Sequence, residues 1–459
     1  RLVRYAHGTC KIINGRRKQR MRDITMKALQ MALDAGASDV RVVFEKGNGD
    51  MVTILNGEID RLYQAASSAL NFHIFAEGRY GSFSTNLFDD ATLRKFTTDA
   101  VNATLLMTPD ECRSLPDKGI CYNGGGPDLR QYDSYIETRP SSGGVTIAHE
   151  VAAEMLSEER VVSAESEYGD FVEEYFIADS QGFEGYQRRS GFSIGATCSV
   201  AGKGDEKHER SWYEDEVFFA NLRYRGCGKK ALKMAIESIG PLKMPSGSYN
   251  MVVDRTIAAN LVIPITEALN GSALHTRNSF LMDKLGEKVF GENVFLRDMP
   301  HTVGNAYSRL FNIEGIATKE RDIISGGTIC NYFIDNYYSR KLALEVTIGN
   351  PSVVMMPKSE LLSNNKLSLS DILKRAGRGI YVTQFNGGNC NAATGDFSYG
   401  IEGFLFDNGE IVHPINEMLI SGNLVTLWNN LIAVADDRLE SRKWQIPSLC
   451  FSNVNFNGL

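Results

Sequence analysis

The sequence predicts an α+β fold, with two helix-flanked antiparallel sheets in the N-terminal part and a β-rich C-terminal domain. At 459 residues the chain exceeds the size at which one hydrophobic core usually keeps growing, so more than one domain is expected. Strand-like runs follow one another through short glycine-containing turns without regular alternation with helices, which disfavours a parallel sheet. Glycines punctuate short apolar runs most densely over Asn386–Pro414, which is typical of strands joined by tight turns.

The first predicted unit is a helix, three or four antiparallel strands and a second helix. Apolar residues lie at helical spacing over Arg22–Ala35, and Gly36 supplies a signal that ends a helix. Helical spacing returns over Asp89–Leu106. Between the two helices, alternation predicts strands, the second of them after a Gly-Asn-Gly turn: Val40–Phe44, Met51–Leu55 and Ala69–Phe75.

A second unit repeats this order. Helices are predicted over Ile147–Glu159 and Lys229–Ile239, and three strands are predicted between them: Val161–Ser166, Glu173–Ala178 and Ser190–Val200. Asn56-Gly57-Glu58 and Gln181-Gly182-Phe183 are local echoes of one another. Both a duplication and two independently similar sheets are compatible with this pattern. Pro109–Gly144, which joins the units, is predicted to be a long loop.

Pro241–Gly247 interrupts any regular element and is the predicted domain boundary. We therefore divide the chain into a leader (residues 1–15), an N-terminal α+β domain (16–240) and a C-terminal β-rich domain (241–459). The C-terminal domain opens with a strand (Tyr249–Val253) and a helix (Thr256–Leu269), and has a short helix at Asp371–Ala376. Its remaining predicted strands are Ile323–Phe333, Ser352–Pro357, Ile380–Gln384, Phe404–Asp407, Glu410–Ile415 and Met418–Ser421.

Composition and charge indicate an ordinary globular protein. Apolar residues make up 43% of the chain and charged residues 23%, which excludes a disordered or fibrous protein. The formal net charge of −7 offers no general attraction to nucleic acid. The basic cluster over Arg16–Arg22 lacks interleaved aromatic residues, so a solvated helix end explains it better than a phosphate site. We expect no direct nucleic-acid partner.

The eight cysteines are dispersed and include no CxxC pair, which favours a reducing cytoplasmic location. No apolar run approaches the roughly 20 residues that a membrane-spanning helix needs. The start of the chain lacks both an initiator methionine and the apolar centre of a signal peptide. The sequence therefore predicts a cytoplasmic protein with no membrane partner.

The usual catalytic patterns are missing from the sequence. There is no GxSxG elbow, no GxxxxGK[ST] loop and no GxGxxG after a strand. A zincin helix needs a second histidine four or five residues after the first, and neither His149-Glu150 nor His208-Glu209 has one. Cys390 with His413 as its base is the one nucleophile pair that we considered, against a packing role for both. We predict no metal and no cofactor, and the catalytic residues stay unknown.

The glycine-rich block near the C-terminus carries a family resemblance. Thr394-Gly395-Asp396-Phe397-Ser398 is followed by further glycines and a proline: Gly400, Gly403, Gly409-Glu410 and Pro414. This pattern resembles the C-terminal signature of the TldD/PmbA family, which is often described as modulators of DNA gyrase and acts in intracellular proteolysis. Gly78–Asn86 and the helix after it also look like this family, so the resemblance covers most of the chain.

The resemblance implies two branches, of which the TldD type carries a zinc-binding HExxxH helix and the PmbA (TldE) type does not. The matching stretch here is Ile257–Gly271, followed by Ser279-Phe280-Leu281. It contains no histidine, Glu267 is its only acid, and Pro264 interrupts the helix. The family's further cysteine ligand would fall near Gln445-Ile446-Pro447. Cys450 is offset from that place and is better explained as a buried thiol. The chain is thus similar to the PmbA/TldE type.

The predicted function follows from this resemblance. An antiparallel sheet with an open edge can bind an extended peptide as an added strand, and Gly395, Asp396, Phe397 and Ser398 are the candidate peptide-groove residues, although a turn that only closes the sheet explains them as well. The resemblance implies a subunit that binds unstructured peptide and is inactive alone as a peptidase. Its partner would be a zinc-bearing TldD-type chain, or a second copy in a homodimer. The alternative function is a non-proteolytic regulatory protein that binds a partner such as DNA gyrase.

Overall fold

The computed structural model describes the backbone of residues 2–357 and 367–458, with side chains from residue 15 onward in those ranges. The side chains of the predicted leader over residues 1–15 thus lie almost entirely outside the described part. Ten elements make up the N-terminal half: α1 (Leu2–Asp34), β1 (Asp39–Leu55), β2 (Glu58–Ala76), β3 (Arg79–Thr85), α2 (Asp90–Thr104), α3 (Gly143–Ala153), β4 (Val161–Asp179), β5 (Glu184–Ala201), β6 (Lys207–Glu216) and α4 (Cys227–Glu237).

The α+β class is confirmed, and both predicted units have the order helix, three strands, helix. Their strands are, however, halves of one six-stranded antiparallel sheet with the order β3-β2-β1-β4-β5-β6. β1 of the first unit pairs with β4 of the second unit along a register that runs from Arg41 opposite Asp179 to Leu55 opposite Glu165. Local periodicity could not predict this junction, because alternation identifies a strand without naming its neighbour.

The Gly-Asn-Gly turn predicted after Val40–Phe44 does not form. β1 runs straight through it, and β4 is likewise one strand where two were predicted. A Cβ on Gly49 would lie 2.7 Å from the carbonyl oxygen of Asp170 on β4. Glycine here permits the close approach of a neighbouring strand instead of reversing the chain.

The helices cover one face of this sheet. Val40, Val42 and Phe44 on β1 pack in the core that includes α1 and α2, and Val52 and Ile54 further along β1 pack in the core that includes α3 and α4. Because side chains of a strand alternate between faces, these even-numbered residues share a face. The odd-numbered residue Val43 packs on the opposite face against Phe311 and Phe183.

Sixteen further elements make up the C-terminal half: β7 (Gly247–Val253), α5 (Ile263–Ala268), α6 (Gly271–His275), β8 (Leu296–Asp298), β9 (Arg321–Ser325), β10 (Thr328–Ile329), α7 (Asn336–Leu342), β11 (Val354–Met355), α8 (Leu369–Ala376), β12 (Arg378–Cys390), β13 (Asp396–Asp407), β14 (Glu410–Asn423), α9 (Leu424–Asn429), β15 (Leu431–Val434), β16 (Trp444–Gln445) and β17 (Leu449–Asn457). This half is β-rich, as predicted.

The strands β14-β13-β12-β7-β17 form a sheet that closes on itself, since β14 also pairs with β17, while β15 extends it beyond β17. A five-stranded sheet, β10-β9-β8-β11-β16, accompanies it. Both contribute to one large core in which the indole of Trp428 is fully buried. Closure removes most of the free strand edges that an open sheet would expose.

Several predicted elements differ in the C-terminal half. The strands predicted separately over Glu410–Ile415 and Met418–Ser421 are one strand, β14. The helix predicted over Thr256–Leu269 is a 3₁₀ turn at Ala258–Leu261 followed by α5, with Pro264 in the first turn. Proline lacks the N–H that a continuous helix would need there. The strand predicted over Ile323–Phe333 is the β9–β10 hairpin, which turns at Gly326-Gly327. Among the helices in the described part of the chain, none is both long and apolar enough to cross a membrane.

Candidate functional site

The predicted peptide-groove residues lie where β12 turns into β13. Gly395 is buried at the end of that turn with φ of +77°, and a Cβ there would lie 3.1 Å from the ring of Phe280. Phe280 donates its backbone N–H to the carbonyl of Ala392, at 2.9 Å. The turn is thus packed on the segment that follows α6, and both the left-handed backbone and the contact favour glycine.

Asp396 is exposed and organises the same turn. Its carboxylate accepts hydrogen bonds from Thr394 Oγ1 at 2.8 Å and from Asn423 Nδ2 at 2.9 Å. These bonds lower the pKa of Asp396, with Asn423 the larger cause. Asn423 also caps α9 by accepting from Val425 N at 3.0 Å. The carboxylate therefore ties the β12–β13 turn to the start of α9.

Phe397 and Ser398 lie on β13, which has a partner strand on each side in the closed sheet. Phe397 is buried, and its ring stacks on Tyr399 with 5.6 Å between centroids. Ser398 is exposed and lies opposite Asn389 on β12 and Ser421 on β14. Both sides of β13 are already paired, so this segment has no free backbone edge to which an extended peptide could add as a strand.

The side of β13 that carries Asp396 and Ser398 also contacts the N-terminal half, through Glu402. Asp396, Ser398 and Glu402 project to the same side of the strand, since their positions differ by even numbers. Glu402 forms an ion pair with Arg210 of β6, and Arg210 also donates to the carbonyl of Glu209 at 2.7 Å. Ser398 and Glu402 are separated by roughly 13 Å along the strand. The predicted residues therefore lie within a few residues' length of the junction between the two halves.

A cavity of about 480 Å³ lies at this junction, between the edge strand β6 and the closed sheet. Its lining includes the aromatic side chains of Trp212, Tyr213 and Trp444 and mostly basic charges: Arg210, Arg255, Arg442, Lys443 and the single acid Glu209. Arg442 donates to the carbonyl of Tyr213 at 2.9 Å, which places a cation on the free edge of β6.

Two polar groups of this cavity favour a bound ligand. The hydroxyl of Thr383, on β12, is buried without a hydrogen-bond partner in the described structure. Burial lowers the pKa of Lys443, and Arg309 adds to the effect, so a negative group nearby would stabilise its ammonium form. The sequence analysis missed this cavity, because its residues come from six separate segments of the chain and share no local motif.

The thiols of Cys390 and Cys450 are not activated nucleophiles. Burial raises the pKa of Cys390 to about 11, with Asp396 and Glu267 adding to the effect, and raises that of Cys450 to about 12. Cys450 is fully buried on β17, as predicted for a structural thiol. A nucleophilic cysteine needs the opposite shift.

The structure does not bring His413 to Cys390. Cys390 lies opposite Phe397, whereas His413 lies opposite Leu405, eight residues further along β13. That separation corresponds to roughly 26 Å. Nδ1 of His413 lies instead 3.0 Å from the carbonyl oxygen of Pro414. The pair cannot act as nucleophile and base in this fold.

Family models match three successive parts of the chain. They are the PmbA/TldA metallopeptidase domain 1 over residues 40–104, the central domain over 135–239 and the C-terminal domain over 246–458. The chain belongs to the PmbA/TldD family. The first of these matches begins in β1, and the third covers the closed sheet with the Gly395–Ser398 segment.

Relatives and solved structures of the PmbA/TldD family agree with this assignment. The chain is 26% identical to Metalloprotease PmbA of Escherichia coli O157:H7, over 92% of this chain and 93% of that protein. It is 25% identical to a PmbA homologue of Haemophilus influenzae, over 96% and 97% of the two chains.

Two crystal structures share the fold. One, from Bacteroides thetaiotaomicron, is named as a modulator of DNA gyrase; it has a TM-score of 0.92 and 37% identity over 95% of this chain and 99% of that chain. The other, TldE of Thermococcus kodakarensis, has a TM-score of 0.82 over 95% and 100% of the two chains, and at 18% identity it shows the fold alone.

The metal implied by the metallopeptidase names of the PmbA/TldD family does not fit the described side chains. Among residues 15–357 and 367–458, no three histidine, cysteine, aspartate or glutamate side chains gather closely enough to hold an ion. His149 lies half-buried on α3, and His208 lies on the edge strand β6 with Glu206 at 3.8 Å. The expectation that neither binds metal stays a prediction.

Proposed function

We propose that this chain is the PmbA/TldE-type subunit of a two-chain metalloprotease system that acts on unstructured peptides. In this proposal a zinc-bearing TldD-type partner supplies the metal and the activated water, and this chain supplies peptide binding and enclosure. The observation that carries it is α5, in the stretch where the resemblance places the zinc helix. α5 has six residues, contains Pro264 in its first turn and lacks histidine. Such a helix cannot present two imidazoles on one face.

The basic cavity beside β6 supports peptide binding within this proposal. An extended peptide would lie along the free edge of β6, where Arg442 now contacts the carbonyl of Tyr213. Acidic peptide side chains would then meet the excess of positive charge that lines the cavity. Gly395–Ser398 would act by shaping the β12–β13 turn, with Asp396 and Ser398 facing the peptide as it leaves the cavity.

The test compares the chain alone, a TldD-type partner alone and both together, with a fluorescently labelled unstructured peptide. We expect peptide cleavage only when the zinc-bearing partner is present, faster with both chains, and abolished by a chelator. We also expect labelled acidic peptide to bind this chain, and Arg255→Gln to weaken the binding. Lys243→Gln is the control, since Lys243 forms an exposed pair with Glu417 at 2.6 Å and does not line the cavity.

Two results would overturn the proposal. Cleavage by this chain alone, unaffected by chelator, would require an active site of its own. If neither combination cleaves and peptide does not bind, the regulatory alternative is favoured, in which the chain binds a protein such as DNA gyrase. One observation supports that alternative, namely the name of the Bacteroides thetaiotaomicron structure.

The assembly itself has a candidate surface. β3 pairs with β2 only over Leu70–Ala76, so within the described structure the outer edge of β2 over Glu58–Ala69 has no partner strand. Ile59, Leu62 and Tyr63 on this edge are 47%, 62% and 60% exposed. Long free edges with apolar residues favour pairing with another chain. We retain a cytoplasmic location in the proposal, consistent with the free state of the seven described cysteines.

A further inference from the structure

A second cleft lies on the sheet face opposite α1 and α2, where the start of β1 meets the C-terminal half. It has a volume of about 290 Å³. Its lining includes Arg41 of β1, His73 of β2, Arg113 of the loop after α2, and Glu314 and Tyr337 of the C-terminal half. Arg41 and His73 lie directly opposite one another in the sheet, so both side chains point into the same space.

Arg41 is the unusual residue of this cleft. It is 5% exposed, yet its Nε and Nη2 atoms have no hydrogen-bond partner in the described structure. The oxygen of Asp179 lies 3.9 Å from Nη2, beyond hydrogen-bond distance, and the other oxygen of Asp179 accepts from the backbone of Gln181 and Phe183. Buried guanidinium donors are rarely left unpaired, so an acceptor that enters the cleft is expected to bind here.

Arg113 provides a second cation whose position is fixed. Its guanidinium lies 3.6 Å from the ring centroid of Tyr337 and 4.8 Å from that of Tyr80. The two rings hold the guanidinium by its faces, which leaves the N–H edges available to a ligand. His73 approaches Tyr80 through Nδ1 at 2.8 Å. Burial lowers the pKa of His73 to about 4, with Arg41 and Arg113 contributing, so the imidazole is neutral at physiological pH.

Size and charge restrict the ligand. A volume of about 290 Å³ is at the lower limit for ligand sites and suits one amino-acid-sized group better than a nucleotide. Phe75, Tyr80 and Ile313 supply apolar wall, and Glu314 and Asp335 place carboxylates in the same cleft as the arginines. A group with an oxyanion, an apolar side chain and, optionally, an ammonium complements these features. The carboxylates disfavour a dianionic phosphate.

We propose that this cleft binds the α-carboxylate of a free amino acid or of the last residue of a peptide, with Arg41 and Arg113 donating to the carboxylate oxygens. A planar carboxylate matches the donor edge of a guanidinium better than a neutral amide does. The site is distinct from the basic cavity beside β6 and does not depend on the proposed protease system. The single charge in the apolar run Val40-Arg41-Val42-Val43-Phe44 was the sequence signal that could have indicated it.

Calorimetric titration of the full chain with four probes tests the proposal: acetylphenylalanine, phenylalanine, acetylphenylalaninamide and inorganic phosphate. We expect one carboxylate per chain to bind, and the amide to bind at least about tenfold more weakly, because it loses the charged acceptor. Tighter binding of acetylphenylalanine indicates a peptide end. Tighter binding of phenylalanine indicates a free amino acid, whose ammonium pairs with Glu314 or Asp335.

Variants assign the binding to this cleft. Arg113 is half-buried, so the Arg113→Gln variant is expected to fold. This substitution should weaken carboxylate binding at least about tenfold. Arg378→Gln is the control, since Arg378 is exposed at the start of β12 and does not line the cleft. Arg41→Met should abolish binding as well. Equal binding of acid and amide, binding of phosphate alone, binding unchanged in Arg113→Gln, or no binding of any probe would each overturn the proposal.

Discussion

At the scale of single residues, Cys390 illustrates how environment decides reactivity. It is half-buried at the end of β12, and burial raises its pKa to about 11, with the carboxylates of Asp396 and Glu267 opposing the thiolate further. The thiolate fraction at pH 7.5 is then on the order of 10⁻³ to 10⁻⁴. Cys390, which the sequence suggested as an exposed nucleophile, is thus expected to be unreactive at neutral pH.

We therefore predict slow alkylation of Cys390 by iodoacetamide at pH 7.5, with a rate that rises about tenfold per pH unit toward pH 11. Mass spectrometry of the modified peptide measures this rate. Asp396→Asn should increase it, because one of the carboxylates that raise the pKa loses its charge. Fast alkylation at neutral pH would contradict the prediction and restore Cys390 as a nucleophile.

Asp396 allows a second prediction at this scale. Its pKa is lowered in the folded state, so its stabilisation is present above the unfolded pKa and is lost as the pH falls through the folded value. Asp396→Ala should lower Tm at pH 7, and the difference from the parent chain should shrink below about pH 4. Ser398→Ala, exposed on the same side of β13, is the control and should change Tm little. A pH-independent loss in Asp396→Ala would mean that packing, and not charge, is involved.

At the scale of elements, the β12–β13 hairpin depends on where glycine is placed. Gly387 and Gly388 both have positive φ, of +80° and +102°. A Cβ on Gly387 would meet nothing within 4 Å, whereas one on Gly388 would lie 2.0 Å from the carbonyl oxygen of Ser398. At both positions the positive φ would strain any residue with a Cβ. The positions differ in how closely the backbone of β13 approaches the glycine.

Gly388→Ala should therefore lower the free energy of unfolding by about 2–4 kcal/mol, from strain and overpacking together. Gly387→Ala should lower it by only about 1 kcal/mol, from strain alone. Urea unfolding of both variants measures the difference. Equal losses would show that the bulge between β12 and β13 relaxes freely, in which case the hairpin geometry does not depend on this contact.

At the scale of the whole molecule, an ion pair connects the two halves. Arg210 on β6 is 8% exposed and pairs with Glu402 on β13, which also accepts from Asn386. Glu402→Gln keeps the shape but removes the charge, and should lower the free energy of unfolding by about 1–3 kcal/mol. Glu417→Gln removes the exposed pair with Lys243 and should cost at most about 1 kcal/mol. Equal effects in denaturant unfolding would mean that the Arg210–Glu402 contact does not hold the halves together.

The whole chain is also expected to bind no stoichiometric zinc. The described side chains include no cluster of three residues that could bind a metal ion. Cys450 is buried on β17, between β7 and β15. Elemental analysis after dialysis at neutral pH should find well under one zinc per chain. One tightly held ion, lost in His149→Ala or Cys450→Ser, would contradict the prediction that this chain is of the metal-free type.

Much of the fold could be predicted because its signals are local. Val40, Val42 and Phe44 alternate as a half-buried strand does, and Arg22–Ala35 repeats as a helix does, so the class and most elements were correct. The Gly395–Ser398 block pointed to the right family. The role of its residues was harder to predict, because backbone pairing on both sides of β13 depends on β12 and β14 together.

The sequence by itself determined the α+β class, the β-rich character of the C-terminal half, the family and the absence of histidine from Ile257–Gly271. Only the tertiary structure decided that β1 pairs with β4 and that β14 closes on β17. It also decided that Nε and Nη2 of Arg41 are buried without a hydrogen-bond partner in the cleft that Arg113 lines. The physical reason is the range of the interactions. Periodicity records which side of an element is buried, whereas partner strands and cavities depend on packing between residues that are tens of positions or more apart in the sequence.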